Sequence, residues 1–293
     1  MQGLIGAVRQ HPVTATVVPL VGLTWIALLT FLLAGQDPTP GLLIELLLFI
    51  LVPGTVSWMI GGRAALGRLF AGLLRFRFAP ALWALVLVAC PLLTLLVGAV
   101  TGTLRTPPDG WLAVLTAYLL ATFVVGGLIA NIWEETAWSG MVQGRLLARH
   151  GLLVGSLLTA IPFGLIHLPL AFAEKGLAGT TLKDALITWA VLIGLAPFFR
   201  YFLGMLLIET GGSTLAAGLF HASFNASGQI AALDGTWQYI PTVPILVLAL
   251  AVWRAAQGRS LVSGFAPQLA AGEDSAASAA SEGSRPARPA KDP

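Results

Sequence analysis

The stretch NIWEETAWSG, residues 131–140, closes a long apolar run with two adjacent carboxylates, Glu134 and Glu135. Residues 111–130 before it carry no charge at all. A charged side chain at the centre of a bilayer costs on the order of 2.5–3.5 kcal/mol on insertion scales. Two on one helix are tolerated only where they are solvated, paired or protonated. If the run spans a membrane, the acid pair therefore marks a functional position, and the fold turns on whether it does.

The surrounding chain says that it does. Of 293 residues, 57% are hydrophobic and 10% charged, against about 25% charged in soluble domains. Apolar segments long enough to cross a bilayer recur at about 12–34, 41–60, 81–103, 111–138, 152–173, 185–208, 212–232 and 238–254. They are separated by breakers such as QDPTP, RTPPDG and LDGT. The expected fold is all-α, a polytopic transmembrane helical bundle of about eight spans over residues 1–258. Residues 259–293 are rich in Ala, Ser, Pro and Gly and are expected to form a disordered cytoplasmic tail. The first run is too long for a cleaved signal and reads as an uncleaved signal anchor.

The single cysteine, Cys90, excludes a disulfide framework and a thiolate metal cluster, and its apolar setting makes it core packing. The thirteen arginines sit between apolar runs rather than on one surface, so no nucleic-acid partner is expected. The lipid bilayer is. Arg63, Arg68, Arg75 and Arg77 mark the 61–80 segment, read as a loop, as cytoplasmic. Alternation then gives a multi-pass protein of the cell membrane with both termini cytoplasmic.

Inside the spans, the ionisable residues that stand out are Glu134, Glu135, His167, Arg200 and His221, with Glu209 at a helix end. His221 and Asn225 are four residues apart and share a helix face. Taken singly, each has a plain reading: Glu134 and Glu135 at an interface, His167 bonded to a carbonyl, Asn225 as helix–helix glue, Phe163 as packing. Together they make a hydrolytic set. Cleaving a peptide bond needs a base for the attacking water and donors for the oxyanion that forms. A glutamate, a neighbouring histidine, and a His/Asn pair on one face supply both.

EETAW at 134–138, FGLIH at 163–167 and HASFN at 221–225 resemble the EExxxR, FxxxH and HxxxN motifs of the CPBP family. These are the CAAX proteases and bacteriocin-processing enzymes, also called Abi, and the type II CAAX prenyl protease is the best-known of them. The resemblance covers about residues 111–232. It implies an intramembrane endopeptidase acting on a membrane-associated peptide or protein. It further implies Glu134 as the base acting on water, assisted by His167, with His221 and Asn225 as the oxyanion hole. Metal-independent chemistry is expected and no cofactor. A divalent metal, if one is used, would fall on Glu134, His167 and His221.

One position departs from the pattern. The motif's arginine, four residues after the second glutamate, is Ser139 here, although Trp138 and Gly140 fit a known variant. Arg145 lies ten residues beyond Glu135, about 15 Å along a helix axis, and is too far to replace it. Arg200, expected at similar depth, is the candidate partner for Glu135, with Ser139 donating a hydrogen bond. Depth poses a second question. On a straight helix from Trp111, Glu134 falls about 35 Å along, nearer the cytoplasmic end than His167 and His221, and Pro162 is a candidate bend. Two rival readings stay open on sequence alone. One is a catalytically silent membrane scaffold. The other is a proton-coupled transporter using Glu134 and His167 as a relay.

Overall fold

The computed structural model describes residues 2–264. Among these the chain is all-α and polytopic, with no strand. Helix α1 (Gln2–Gln10) leads into α2 (Pro12–Leu33) and α3 (Thr39–Ala71), followed by a 3₁₀ turn at Gly72–Leu74. Helices α4 (Pro80–Leu87) and α5 (Ala89–Val100) form a pair bent by 49°. Helix α6 (Gly110–Leu119) runs into the π-helical π1 (Leu120–Ile129), then α7 (Asn131–Glu135), π2 (Thr136–Gln143) and α8 (Gly144–Ile166). A 3₁₀ turn at Leu168–Phe172, short α9 (Gly176–Gly179), α10 (Leu182–Glu209), α11 (Thr214–Ser227) and α12 (Thr242–Ala256) complete the fold.

Five stretches are long and apolar enough to cross a membrane, and the bent α4–α5 pair makes a sixth. The chain is a multi-pass membrane protein. The count of eight rested on two further segments, which are present as α11 and α12. These have 14 and 15 residues, about 21 and 22 Å long, against a hydrocarbon core of about 30 Å. Helix α11 is packed almost entirely inside the protein. Only Leu215 and Asn225 along it are not buried. By contrast, 17% of the Gly110–Ile129 span is buried, so that helix faces mostly outward.

Small residues let α11 sit this deep. A Cβ on Gly126 would lie 2.4 Å from the Ala222 Cβ, and one on Gly218 would lie 2.7 Å from the Ile132 Cα. Helix α11 is therefore flush against π1 and α7. Its N-terminus is fixed by Ser213, whose Oγ accepts from the Ala216 amide at 3.0 Å and donates to the Arg75 carbonyl at 2.5 Å.

The 61–80 segment is not a loop throughout. Helix α3 continues to Ala71 past a break at Gly61–Gly62, where Gly62 takes φ +58°. The expected tail largely lies outside the described residues. Its described beginning, 259–264, lies against the bundle: the Leu153 amide donates to the Val262 carbonyl at 3.1 Å and the Tyr201 hydroxyl to the Leu261 carbonyl at 2.6 Å.

The two ends of the bundle differ in charge. Arg75 donates to the Gly211 carbonyl, Arg9 to the Met59 carbonyl, and Arg254 and Arg259 both pair with Glu209. These contacts put the 61–77 segment, α1, the end of α10 and the end of α12 at one end. At the other, Leu104 bridges Leu233, Arg105 pairs with Asp234 at 2.7 Å, and Lys175 pairs with Asp184 at 3.3 Å.

Candidate active site

The acid pair is framed by two helical irregularities. Ala130 breaks the helix (φ −113°, ψ −79°) just before α7, and π2 begins directly after Glu135. Such π turns re-aim side chains and recur at functional positions. The run from Trp111 is thus not one straight rod, and the depth computed for Glu134 on that assumption does not hold. Glu134 meets His167 and His221 at one level. Helix α8 breaks at Gly151 (φ +76°), while Pro162 stays inside the helix without a non-helical residue.

Glu134 and Glu135 are adjacent, so their side chains point about 100° apart and meet different neighbours. Glu135 is fully buried, and Arg200, equally buried, donates from Nη1 to both of its oxygens at 2.9 Å. Ser139 Oγ donates to Glu135 Oε2 at 2.5 Å and accepts from Arg200 Nη2 at 3.0 Å. Arg200 Nη2 also donates to Gln143 Oε1, and Gln143 Nε2 returns to the Arg200 carbonyl at 2.6 Å. A guanidinium from α10 thus stands where the motif would place one on the same helix. Ser139 is small enough to leave it room. Arg145 folds back to the Met141 carbonyl at 2.9 Å.

Glu134 faces the other way, into a cavity of about 320 Å³ that it shares with Phe163, His167, Phe199, His221 and Asn225. Its Oε2 accepts from Asn131 Nδ2 at 3.1 Å. Its Oε1 lies 3.4 Å from His167 Nε2 and has no hydrogen-bond partner, although it is buried. His167 Nδ1 lies 2.6 Å from the Phe163 carbonyl. A carbonyl only accepts, so Nδ1 carries the hydrogen and Nε2 is the edge turned to Glu134. His221 Nδ1 donates to Glu135 Oε1 at 3.0 Å and lies 3.7 Å from Glu134 Oε2. Asn225 Nδ2 donates one hydrogen to Asn131 Oδ1 at 3.4 Å, which leaves the amide a second one.

Phe163 is an aromatic partition. The Arg200 guanidinium sits 4.9 Å from its centroid, its ring is stacked on Phe199 at 5.7 Å, and it meets His167 edge-on at 4.8 Å. It separates the buried ion pair from the cavity histidine.

Among the described residues no three His, Cys, Asp or Glu side chains are arranged to hold a metal ion. In the set considered from sequence, Nδ1 of His167 and Nδ1 of His221 are bonded to the Phe163 carbonyl and to Glu135, which leaves each ring its Nε2.

Three residues of the site were not singled out in the sequence. Asn131 bridges Glu134 and Asn225, and its signal was its place one turn before Glu134. Gln143 closes the Arg200 network. Glu45 of α3 is buried and lines the cavity; a lone acid in the second apolar run was its signal.

With this geometry in place, residues 115–227 match the family model of Rce1-like type II CAAX prenyl endopeptidases. Over that segment the chain is similar to the Rce1-like family. It contains Glu134, Glu135, Ser139, Phe163, His167, Arg200, His221 and Asn225, while Glu45 lies outside it. No curated protein matches the chain. At the level of the family the activity is that of a membrane-embedded peptidase.

Proposed function

We propose that the protein is an intramembrane endopeptidase in which Glu134 activates water against a peptide bond of a membrane-associated peptide or protein. The observation that carries this reading is the unpartnered Oε1 of Glu134, buried and 3.4 Å from His167 Nε2. Nδ1–H of His167 is held by the Phe163 carbonyl, which turns Nε2 to the cavity beside Glu134 Oε1. A water lodged between the two side chains would give a hydrogen to Glu134 Oε1 and meet His167 at Nε2.

The steps follow from that placement. Glu134 takes a proton from the water as its oxygen bonds to the scissile carbonyl carbon. The carbonyl oxygen becomes an oxyanion that accepts the second hydrogen of Asn225 Nδ2, and His221 donates to it as well when Nε2 carries a hydrogen beside the Nδ1–H held by Glu135. The C–N bond then breaks, its electron pair goes to nitrogen, and the proton held by Glu134 passes to the departing amine. Glu135 stays bound to Arg200 and Ser139 and acts as a positioning residue for His221.

The test is cleavage of a membrane-peptide library in proteoliposomes, read by mass spectrometry, for wild type, Glu134→Gln and His167→Ala, with a chelator series alongside. Loss of general-base catalysis predicts a drop of about 10²–10⁴ in rate for Glu134→Gln. Wild-type cleavage by both variants would defeat the reading. Loss of activity on chelation alone would move the chemistry to a metal.

A further inference from the structure

We propose that the catalytic cavity is entered from the arginine-poor end of the bundle, and that this end is the non-cytoplasmic one. The peptide cleaved is then a membrane-anchored or exported segment that presents its scissile bond from outside the cell. The substrate half of this statement rests on the peptidase reading; the geometric half does not.

The cavity's position along each helix gives its direction. Helix α3 begins at the arginine-poor end, and Glu45 lies six residues from its start, about 9 Å. Helix α8 ends there, with His167 directly after its last residue and cavity-lining Leu170 in the following turn. Helix α11 ends there too, and Asn225 is in its final turn. Tyr239, another lining residue, belongs to the connection leading into α12 at the same end. The helix ends at the arginine side contribute nothing to the lining.

The floor closes the other way. Beneath Glu134 and His221 lie Glu135, Ser139, Gln143 and Arg200, all with no exposed surface. Trp138 and Met141 fill the same layer and are equally buried. A peptide cannot pass this layer without breaking a buried ion pair, so access from the arginine end is shut.

Charge assigns the ends to sides of the membrane. Outside the buried site, the arginine end holds Arg9, the four arginines between 63 and 77, Arg145 and Arg149 at the start of α8, and Arg254 and Arg259. The opposite end holds Arg105, Lys175 and Lys183. Lysine and arginine near span ends are retained in the cytoplasm. The strong bias between the two ends puts the arginines, and the sealed floor, inside.

The test is cysteine labelling in intact cells expressing the full chain. Cys90, fully buried and the chain's only cysteine, is replaced by Ala. Single cysteines are then placed at Ala64 on the arginine end, at Thr180 on the other end, and at Leu170 and Leu192 in the cavity. Each is exposed to a membrane-impermeant maleimide before and after permeabilisation. Thr180→Cys and at least one cavity variant are expected to label fully in intact cells, and Ala64→Cys only after permeabilisation. Labelling of both cavity positions only after permeabilisation, or at neither stage, overturns the proposal. Labelling needs no turnover, so its outcome is independent of the cleavage assay: a cavity open to the outside with no cleavage would sink the peptidase reading and leave the direction of access standing.

Discussion

Replacing Arg200 by methionine isolates what holds the acid pair in the membrane. Methionine matches much of the arginine stem but has no donor. The substitution removes two charge-assisted bonds to Glu135, at 2.9 Å each, and the bond to Ser139 at 3.0 Å. Charge-assisted hydrogen bonds contribute about 1.5–3 kcal/mol apiece, so the two ending on Glu135 account for about 3–6 kcal/mol. Breaking a buried ion pair by removing one partner costs about 3–5 kcal/mol, in agreement. With a few degrees of melting temperature per kcal/mol in a chain of this size, Arg200→Met should lower the midpoint in detergent by on the order of 10 °C.

The same variant combined with Glu135→Gln separates charge from packing. Without the carboxylate, no buried charge is left uncompensated, and the Ser139 hydroxyl can still bond the carboxamide introduced in its place. The double variant should recover part of the loss, with a coupling energy of about 1–3 kcal/mol, within the range seen for residues in one network. The assay is thermal unfolding followed by the fluorescence of the nine tryptophans, with cleavage measured on the folded fraction. A shift below about 2 °C for Arg200→Met, or strict additivity in the double variant, would refute the claim that this arginine neutralises Glu135.

Asn225→Ala should reduce kcat by about 10²–10³ with little change in KM, the signature of a lost oxyanion donor; a pure KM effect would argue against that role. Glu45→Leu should raise the melting temperature, because it removes a buried membrane carboxylate valued at about 2.5–3.5 kcal/mol on insertion scales, and should lower turnover; a fall in melting temperature would show that Glu45 serves the fold instead. Gly126→Ala should destabilise by about 1–3 kcal/mol, because its Cβ would lie 2.4 Å from Ala222 and 2.9 Å from Asn131 Oδ1; an unchanged midpoint would mean that α11 is free to move away from π1.

Most of the candidate site was legible because its chemistry is anomalous in lipid. Glu134, Glu135, His167 and His221 stand out in apolar sequence, and a spacing of four sets His221 and Asn225 on one face. What resisted reading was geometry that depends on broken helices. The Ala130 break and the two π segments leave no mark in hydropathy, so the position of Glu134 could not be obtained by counting residues at about 1.5 Å each. The burial of helix α11 left no mark in hydropathy, because the interior of this bundle is as apolar as lipid. Its six small residues between Thr214 and Ser227, Ala216, Ala217, Gly218, Ala222, Ser223 and Ala226, are the trace of close packing. In the segment read as a loop, Gly61 and Gly62 do break the helix, but a second helical stretch follows them to Ala71.

The adjacency of the two acids has its own logic. Neighbouring positions on a helix point in directions about 100° apart, so one can be tied to the scaffold while the other is left open to the cavity. Glu135 takes the first part: two contacts with Arg200, one with Ser139, one with His221. Glu134 takes the second and keeps one oxygen unpartnered. An arginine at position 139 would brace Glu135 from within its own helix. Arg200 braces it from α10, the helix that also lines the cavity with Val191, Leu192 and Leu195. In this chain the wall of the cavity and the acid that positions His221 are joined through one side chain, so a displacement of α10 on substrate entry would be felt at His221 through Arg200 and Glu135.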